Sequence, residues 1–163
     1  MIHPQMAIQM FAYTVQLINK QCDGMSDADS LQTPPFQGNC INWILGHMVS
    51  SRSQMLLMLG EQPVWDDATR QPYRNGSPNI TAEMEGVLPL ATLLEAFNET
   101  QRRLAHGLAA ATYEDLSERT KTLGANINTV VGWIAYFQFH EAHHAGQITM
   151  IAPMVGKAGV WIA

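Results

Sequence analysis

Hydrophobic residues recur every three or four positions through four long stretches of the chain, the spacing of helices that bury one face. The first stretch runs from about Pro4 to Gln21, with Met6, Met10, Tyr13 and Leu17 in step. It stops before CDGMSDADS and the QTPPFQG loop, where two consecutive prolines forbid a continuing helix. The second runs from about Asn39 to Leu59 and ends at Gly60, a residue suited to a helix C-terminus. Residues 62–86 then make a long irregular connection with three prolines, with one helical turn expected near Thr81 to Glu85. The third stretch, about Pro89 to Ala111, opens on a proline whose missing N–H costs nothing in a first turn. Leu90, Leu93, Leu94, Phe97, Leu104 and Leu108 form its apolar stripe, with Glu95, Glu99, Arg102 and Arg103 outside. The fourth, about Asn126 to Val155, has Asn126 and Asn128 as candidate caps and Pro153 and Gly156 at its end. No segment alternates with period two for long enough to demand a strand. The pattern predicts an all-α fold, a four-helix bundle forming a single domain over residues 1–163. Its long connection between the second and third helices leaves room for a parallel pair.

The fourth helix carries the chemistry. Trp133, Phe137, His140, His144, Ile148, Ile151 and Val155 advance by four, three, four, four, three and four, one continuous core-facing stripe. His140 and His144 therefore sit one turn apart, about 40° from each other around the axis, and imidazoles so placed can close on one metal ion. His143 falls on another apolar face with Tyr136, Phe139 and Met150, suited to a neighbouring helix or subunit. The bland alternative is that each histidine is a core residue hydrogen-bonded to a neighbour. Two on one apolar stripe would each need a buried partner.

A third ligand has three candidates, His3, His47 and His106. His3 is near a terminus and His106 lies in the polar QRRLAHGL. His47 stands mid-helix with Gly46, Ser50, Ser51 and Gln54 around it, small and polar residues that suit a cavity better than a filled core. One histidine from the second helix and two from the fourth would make a three-nitrogen site with open positions, the character of a reactive metal.

Two look-alikes fail. His140-Glu141-x-x-His144 matches the zinc-protease signature, with Glu141 as base. The 19 residues that follow contain no His, Asp or Glu to serve as third ligand. Glu141 is then expected in a hydrogen bond behind the site or facing solvent. A di-iron carboxylate site needs a second Glu-x-x-His and glutamates from the other helices, and the first two helices contain none.

Composition narrows the setting. Hydrophobic residues make up 47% and charged residues 14%, against roughly 25% charged in ordinary domains. So little charge points to broad apolar faces, a subunit interface among them. The net charge of −5 argues against a nucleic-acid partner, because no basic stripe exists to neutralise phosphates, and nothing suggests an anionic membrane surface. No window approaches the ~18 apolar residues of a membrane span, and the N-terminus lacks the pattern of a secretory signal. Cys22 and Cys40 have no metal or redox spacing and are expected as free thiols in the cytoplasm. Cys40, two turns before His47 on one face, is expected to be structural, and the methionines to fill the core. Trp43, Trp133 and Tyr136 either line a pocket or pack.

The phrases NWILGHM and HEAHHAGQI together resemble the DinB/YfiT-like family of helical bundles with a metal between their helices. The family's H-x-x-x-H before a G-Q-I element maps onto His140, His144, Gly146, Gln147 and Ile148, and its W-x-x-x-H onto Trp43 and His47. Ala145 stands where the family often has arginine, which removes a surface salt bridge and leaves the ligands intact. The resemblance implies a divalent metal, zinc or nickel, held by His47, His140 and His144. It further implies a thiol S-transferase-like activity on a small thiol or water, and with the broad apolar faces noted above a homodimer is expected. The opposing expectation is a non-catalytic bundle whose histidine cluster or metal holds helices together or serves dimer assembly. For proton transfer the candidates are Tyr13, Glu141 and His143.

Overall fold

The computed structural model describes residues 3–118 and 129–157. Four long helices carry it: α1 (Pro4–Cys22), α3 (Ile41–Met58), α5 (Leu90–Ala110) and α7 (Val130–Ile151). Short helices α2 (Asp27–Ser30), α4 (Asp67–Arg70) and α6 (Tyr113–Ser117) lie between them, and 3-10 turns occupy Gln71–Tyr73 and Ala152–Val155. The described residues contain no strand, and no helix among them is long and apolar enough to cross a membrane. The long helices pack in a ring, α1 and α3 each lying against both α5 and α7. Ile41 and Ile44 share a cluster with Leu90 and Leu93, while Met55 and Leu56 share another with Leu104 and Leu108. α3 and α5 therefore run parallel, the arrangement the long connection allows. Ile148 and Ile151 fall in the first cluster and Val130 in the second, so α7 runs against α3.

Local chemistry sets the ends. After Leu59, Gly60 takes a left-handed φ of 76°, and the Glu61 N–H donates to the Leu56 carbonyl at 2.8 Å, closing α3 in the manner expected of glycine. α7 starts at Val130, capped by the Thr129 hydroxyl, which accepts from Gly132 N–H at 3.1 Å. The candidate caps Asn126 and Asn128 lie outside the described residues. Beyond Ile151 the helix tightens into a 3-10 turn at Pro153, whose ring ends the α-helical ladder. Residues 81–85 make turns rather than a helix. The short α2 and α6, absent from the periodicity, are instead fixed by reciprocal caps, Ser26 with Asp29 and Thr112 with Asp115.

Between the two apolar clusters lies a polar layer at the bundle centre. Arg52 of α3 and Glu141 of α7 are 0% and 1% exposed and form a two-pronged ion pair at 2.6 and 2.8 Å. The same guanidinium donates to Thr100 and Gln101 of α5 at 3.1 and 3.2 Å and to the Phe11 carbonyl of α1 at 3.4 Å. It also stacks over the Phe97 ring at 4.2 Å. One side chain thus touches every long helix. Burial pushes the Glu141 carboxyl upward and the Arg52 charge pulls it back. Glu141 is neither solvent-facing nor bonded to a histidine, which corrects the expectation for it: its partner stands 89 positions away.

The connection after α3 folds back onto that helix. Tyr73 is fully buried against Gly46, where a Cβ would overlap the tyrosine ring. Its hydroxyl accepts from Leu88 N–H at 3.2 Å, and Asn42 donates to the Leu88 carbonyl at 2.9 Å. Ser77 accepts from the Trp43 indole at 2.8 Å.

Removing one partner of the central pair strands the other charge in the core, so Glu141→Ala should cost about 3–5 kcal/mol in urea denaturation. A loss within experimental scatter would show that the pair does not organise the bundle. Gly46→Val should displace Tyr73 and cost about 1–3 kcal/mol from overpacking, with near-ultraviolet dichroism reporting the moved ring. An unchanged spectrum would contradict the packing described.

Candidate metal centre

His47 leaves α3 beside Gly46, so the close approach of Tyr73 also fixes the imidazole. The Tyr73 backbone carbonyl accepts from His47 Nδ1 at 2.8 Å, and Trp43 stacks on the ring at 4.7 Å with 8° between planes. A carbonyl only accepts, so Nδ1 carries the proton and Nε2 presents a lone pair. On α7, His144 Nδ1 faces the Gln147 amide oxygen at 2.7 Å, one helical turn on, and the same logic bares its Nε2. His140 Nε2 lies 3.2 Å from His47 Nε2 and 3.1 Å from His144 Nε2. Three ring nitrogens from two helices converge.

As a purely hydrogen-bonded cluster this arrangement does not close. Two of the three nitrogens are lone pairs, and His140 Nε2 can give a single proton to one of them. His140 Nδ1 is itself buried without a partner among the described residues. A cation among the three nitrogens answers all the lone pairs at once, and His47, His140 and His144 could hold one, their ligand atoms lying within 4.8 Å of one another. The donor set fits a borderline divalent ion that favours imidazole. Protonation is disfavoured in the same place. Burial lowers all three histidines, and His140 and His144 are brought down to about 4. For His140 the neighbouring imidazoles add to burial; for His144 they add to it against the opposing Gln147 contact. Neutral imidazole is the form that binds a metal.

The nitrogens open on a cleft of about 910 Å³. Ser50, Ser51 and Gln54 line it beside His47, as their small polar character predicted, and Trp133, Tyr136 and Phe137 form an aromatic wall. His140 is half-buried, so the histidine stripe meets a cleft here rather than the closed core. His143 is exposed and lines the same cleft; no helix of the described chain covers its face, where Phe139 and Met150 are 71% and 68% exposed.

The other candidates lie elsewhere. His3 caps α1 by accepting from Gln5 N–H at 3.2 Å, and His106 pairs with Glu61 at 2.5 Å on the surface. Tyr13 faces a groove between α1 and α7, away from the histidines. Cys22 and Cys40 are buried free thiols, burial raising both and bringing Cys22 to about 12. Ala145 is buried, so its position is not a surface one and an arginine there would not make a surface salt bridge. Sequence reasoning missed Tyr73, whose backbone atom does the work, with Gly46 as its only trace. It also missed Arg70 and Arg74 on the cleft wall.

Comparison with known proteins bears on the fold and its lineage. Among solved structures, a conserved protein from Enterococcus faecalis superposes with a TM-score of 0.75 at 15% identity, covering 96% of this chain and 99% of the other. At that identity the likeness speaks for the fold alone. No curated protein matches the chain. The model of the DinB superfamily matches residues 10–148, a span from α1 to the end of the histidine turn that takes in His47, His140, His144 and Gln147. The chain belongs to the DinB superfamily.

Proposed function

We propose that this protein is a metal-dependent transferase in which His47, His140 and His144 hold a zinc or nickel ion and a small thiol is activated for attack on an electrophile. One observation carries the reading: three Nε2 atoms meet on the wall of an open cleft. No fourth protein ligand joins them among the described residues, whereas a structural site would be closed by one. A divalent ion bound by neutral ligands keeps its full charge and would lower the pKa of a thiol or of water.

The chain's own residues have definite parts in this. The Tyr73 carbonyl and the Gln147 amide hold His47 and His144 in the tautomer that binds metal. Trp43 fixes the His47 ring plane. Ser50, Ser51 and Gln54 offer hydrogen bonds to a polar ligand, and the Trp133–Phe137 wall excludes water from one side. The homodimer expected from the sequence belongs to the same reading. α1 and α7 carry Lys20 and Glu141 as their only Lys, Arg, Asp or Glu, and the groove between them, with Met10, Tyr13, Leu17, Ala142 and Met150 in its lining, offers a largely apolar surface.

Metal analysis by mass spectrometry should find close to one equivalent in purified protein and almost none in His144→Ala. Gln147→Ala should retain the site with affinity lowered about 10–100-fold. Wild-type protein that holds no metal, and gains no stability from added zinc or nickel, would end the proposal.

The pH dependence follows from the histidines. In the unfolded chain they titrate near 6.5; folded and metal-free, His140 and His144 titrate at about 4. Between those values the unfolded chain binds more protons, so their contribution is complete above about pH 6.5 and is lost as the pH falls towards 4. Urea denaturation of chelator-treated protein should show this slope, shallower in His144→Ala. Identical slopes in the two proteins would refute it.

A further inference from the structure

Charge around the cleft is one-sided. Arg70 and Arg74 line it, and no aspartate or glutamate among the described residues does, on a chain whose net charge is −5. Both arginines come from the folded-back connection, on and just after α4. They lean on the same oxygen of Asp67, Arg74 at 3.2 Å and Arg70 through its Nη2. Asp67 is 78% exposed and stands outside the cleft lining. One carboxylate thus orients two guanidiniums, and Asp66, also outside the cleft lining, feels the Arg70 charge as well. Arg70 is 14% exposed, and its Nε is buried with no partner among the described residues. Arg74 is 49% exposed, and the natural complement of an accessible guanidinium is an anionic oxygen.

We infer that Arg70 and Arg74 form the binding subsite for an anionic group, a carboxylate or a phosphate, carried by the small molecule that occupies the cleft. The inference rests on the cleft being the substrate site proposed above, and needs neither the metal nor the reaction. Guanidinium is suited to the task because its planar donors match the paired oxygens of both anions. Asn39 and Asn75 add neutral polar side chains to the lining. With the arginines and the histidines in one cleft, a molecule anionic at one end and nucleophilic at the other can engage both sets of residues. Neutral and cationic analogues lose the arginine contacts.

Titration calorimetry on the full chain, zinc-supplemented and then chelator-treated, tests this with two matched pairs of thiols. N-acetylcysteine carries the carboxylate that N-acetylcysteamine lacks; phosphopantetheine carries the phosphate that pantetheine lacks. Wild-type protein should prefer the anionic member of at least one pair by about tenfold or more, and the pair that responds identifies the anion. The preference should fall below about threefold in the R70Q/R74Q variant, with R74Q alone as the milder control and thermal melting confirming that each folds. Equal binding within both pairs overturns the inference, as does a preference that survives R70Q/R74Q or a failure of wild type to bind any probe. The His144→Ala protein separates the two proposals. An arginine-dependent preference that persists there supports the subsite, whatever becomes of the metal, whereas its disappearance there with the arginines intact overturns it.

Discussion

The buried pair of Arg52 and Glu141 is the interaction on which the rest of this structure depends. An unpaired charge in a bundle core costs more than most single contacts return, so the four long helices can pack closely only where guanidinium and carboxylate meet. That condition fixes α3 against α7 in rotation and in height. Thr100, Gln101 and the Phe11 carbonyl take the remaining donors and bind α5 and α1 to the same point. The histidines inherit this geometry. Arg52 follows His47 by five residues, about 140° around α3, so with the guanidinium turned to the bundle axis the imidazole faces the flank. Glu141 adjoins His140 on α7, and its burial sets where His140 and His144 emerge. An ion pair with no contact to the site therefore decides where the three nitrogens converge.

A second constraint acts from outside the bundle. The connection between α3 and α5 is irregular in sequence, yet Tyr73 at its centre is buried as fully as the core, against Gly46. This packing supplies the carbonyl that orients His47, and the same segment brings Arg70 and Arg74 to the cleft wall. The cleft thus joins two electrostatic regimes. On one side, burial keeps the imidazoles neutral and available as ligands; on the other, arginines oriented by an exposed aspartate hold permanent positive charge.

Much of this was legible in the sequence, for identifiable reasons. The four long helices follow from three- and four-residue spacing, which survives because each helix buries one face. The pairing of His140 with His144 follows from the same arithmetic, and the cavity beside His47 from the small polar residues Ser50 and Ser51. What escaped depended on partners distant along the chain. Arg52 reads as an ordinary helical cation until Glu141 is placed beside it. Glu141 sits in a motif that invites a catalytic reading. Tyr73 acts through a backbone oxygen, which no residue type advertises. The short helices α2 and α6 do leave a trace, Ser-x-x-Asp and Thr-x-x-Asp, in segments too short for periodicity to register.

X-ray absorption at the metal edge of the purified protein tests the central claim most directly. The account predicts about three imidazole nitrogens at about 2.0–2.1 Å, with any remaining scatterers light atoms from solvent. A sulfur shell at about 2.3 Å without added thiol, or a spectrum with no more than one imidazole, would contradict it.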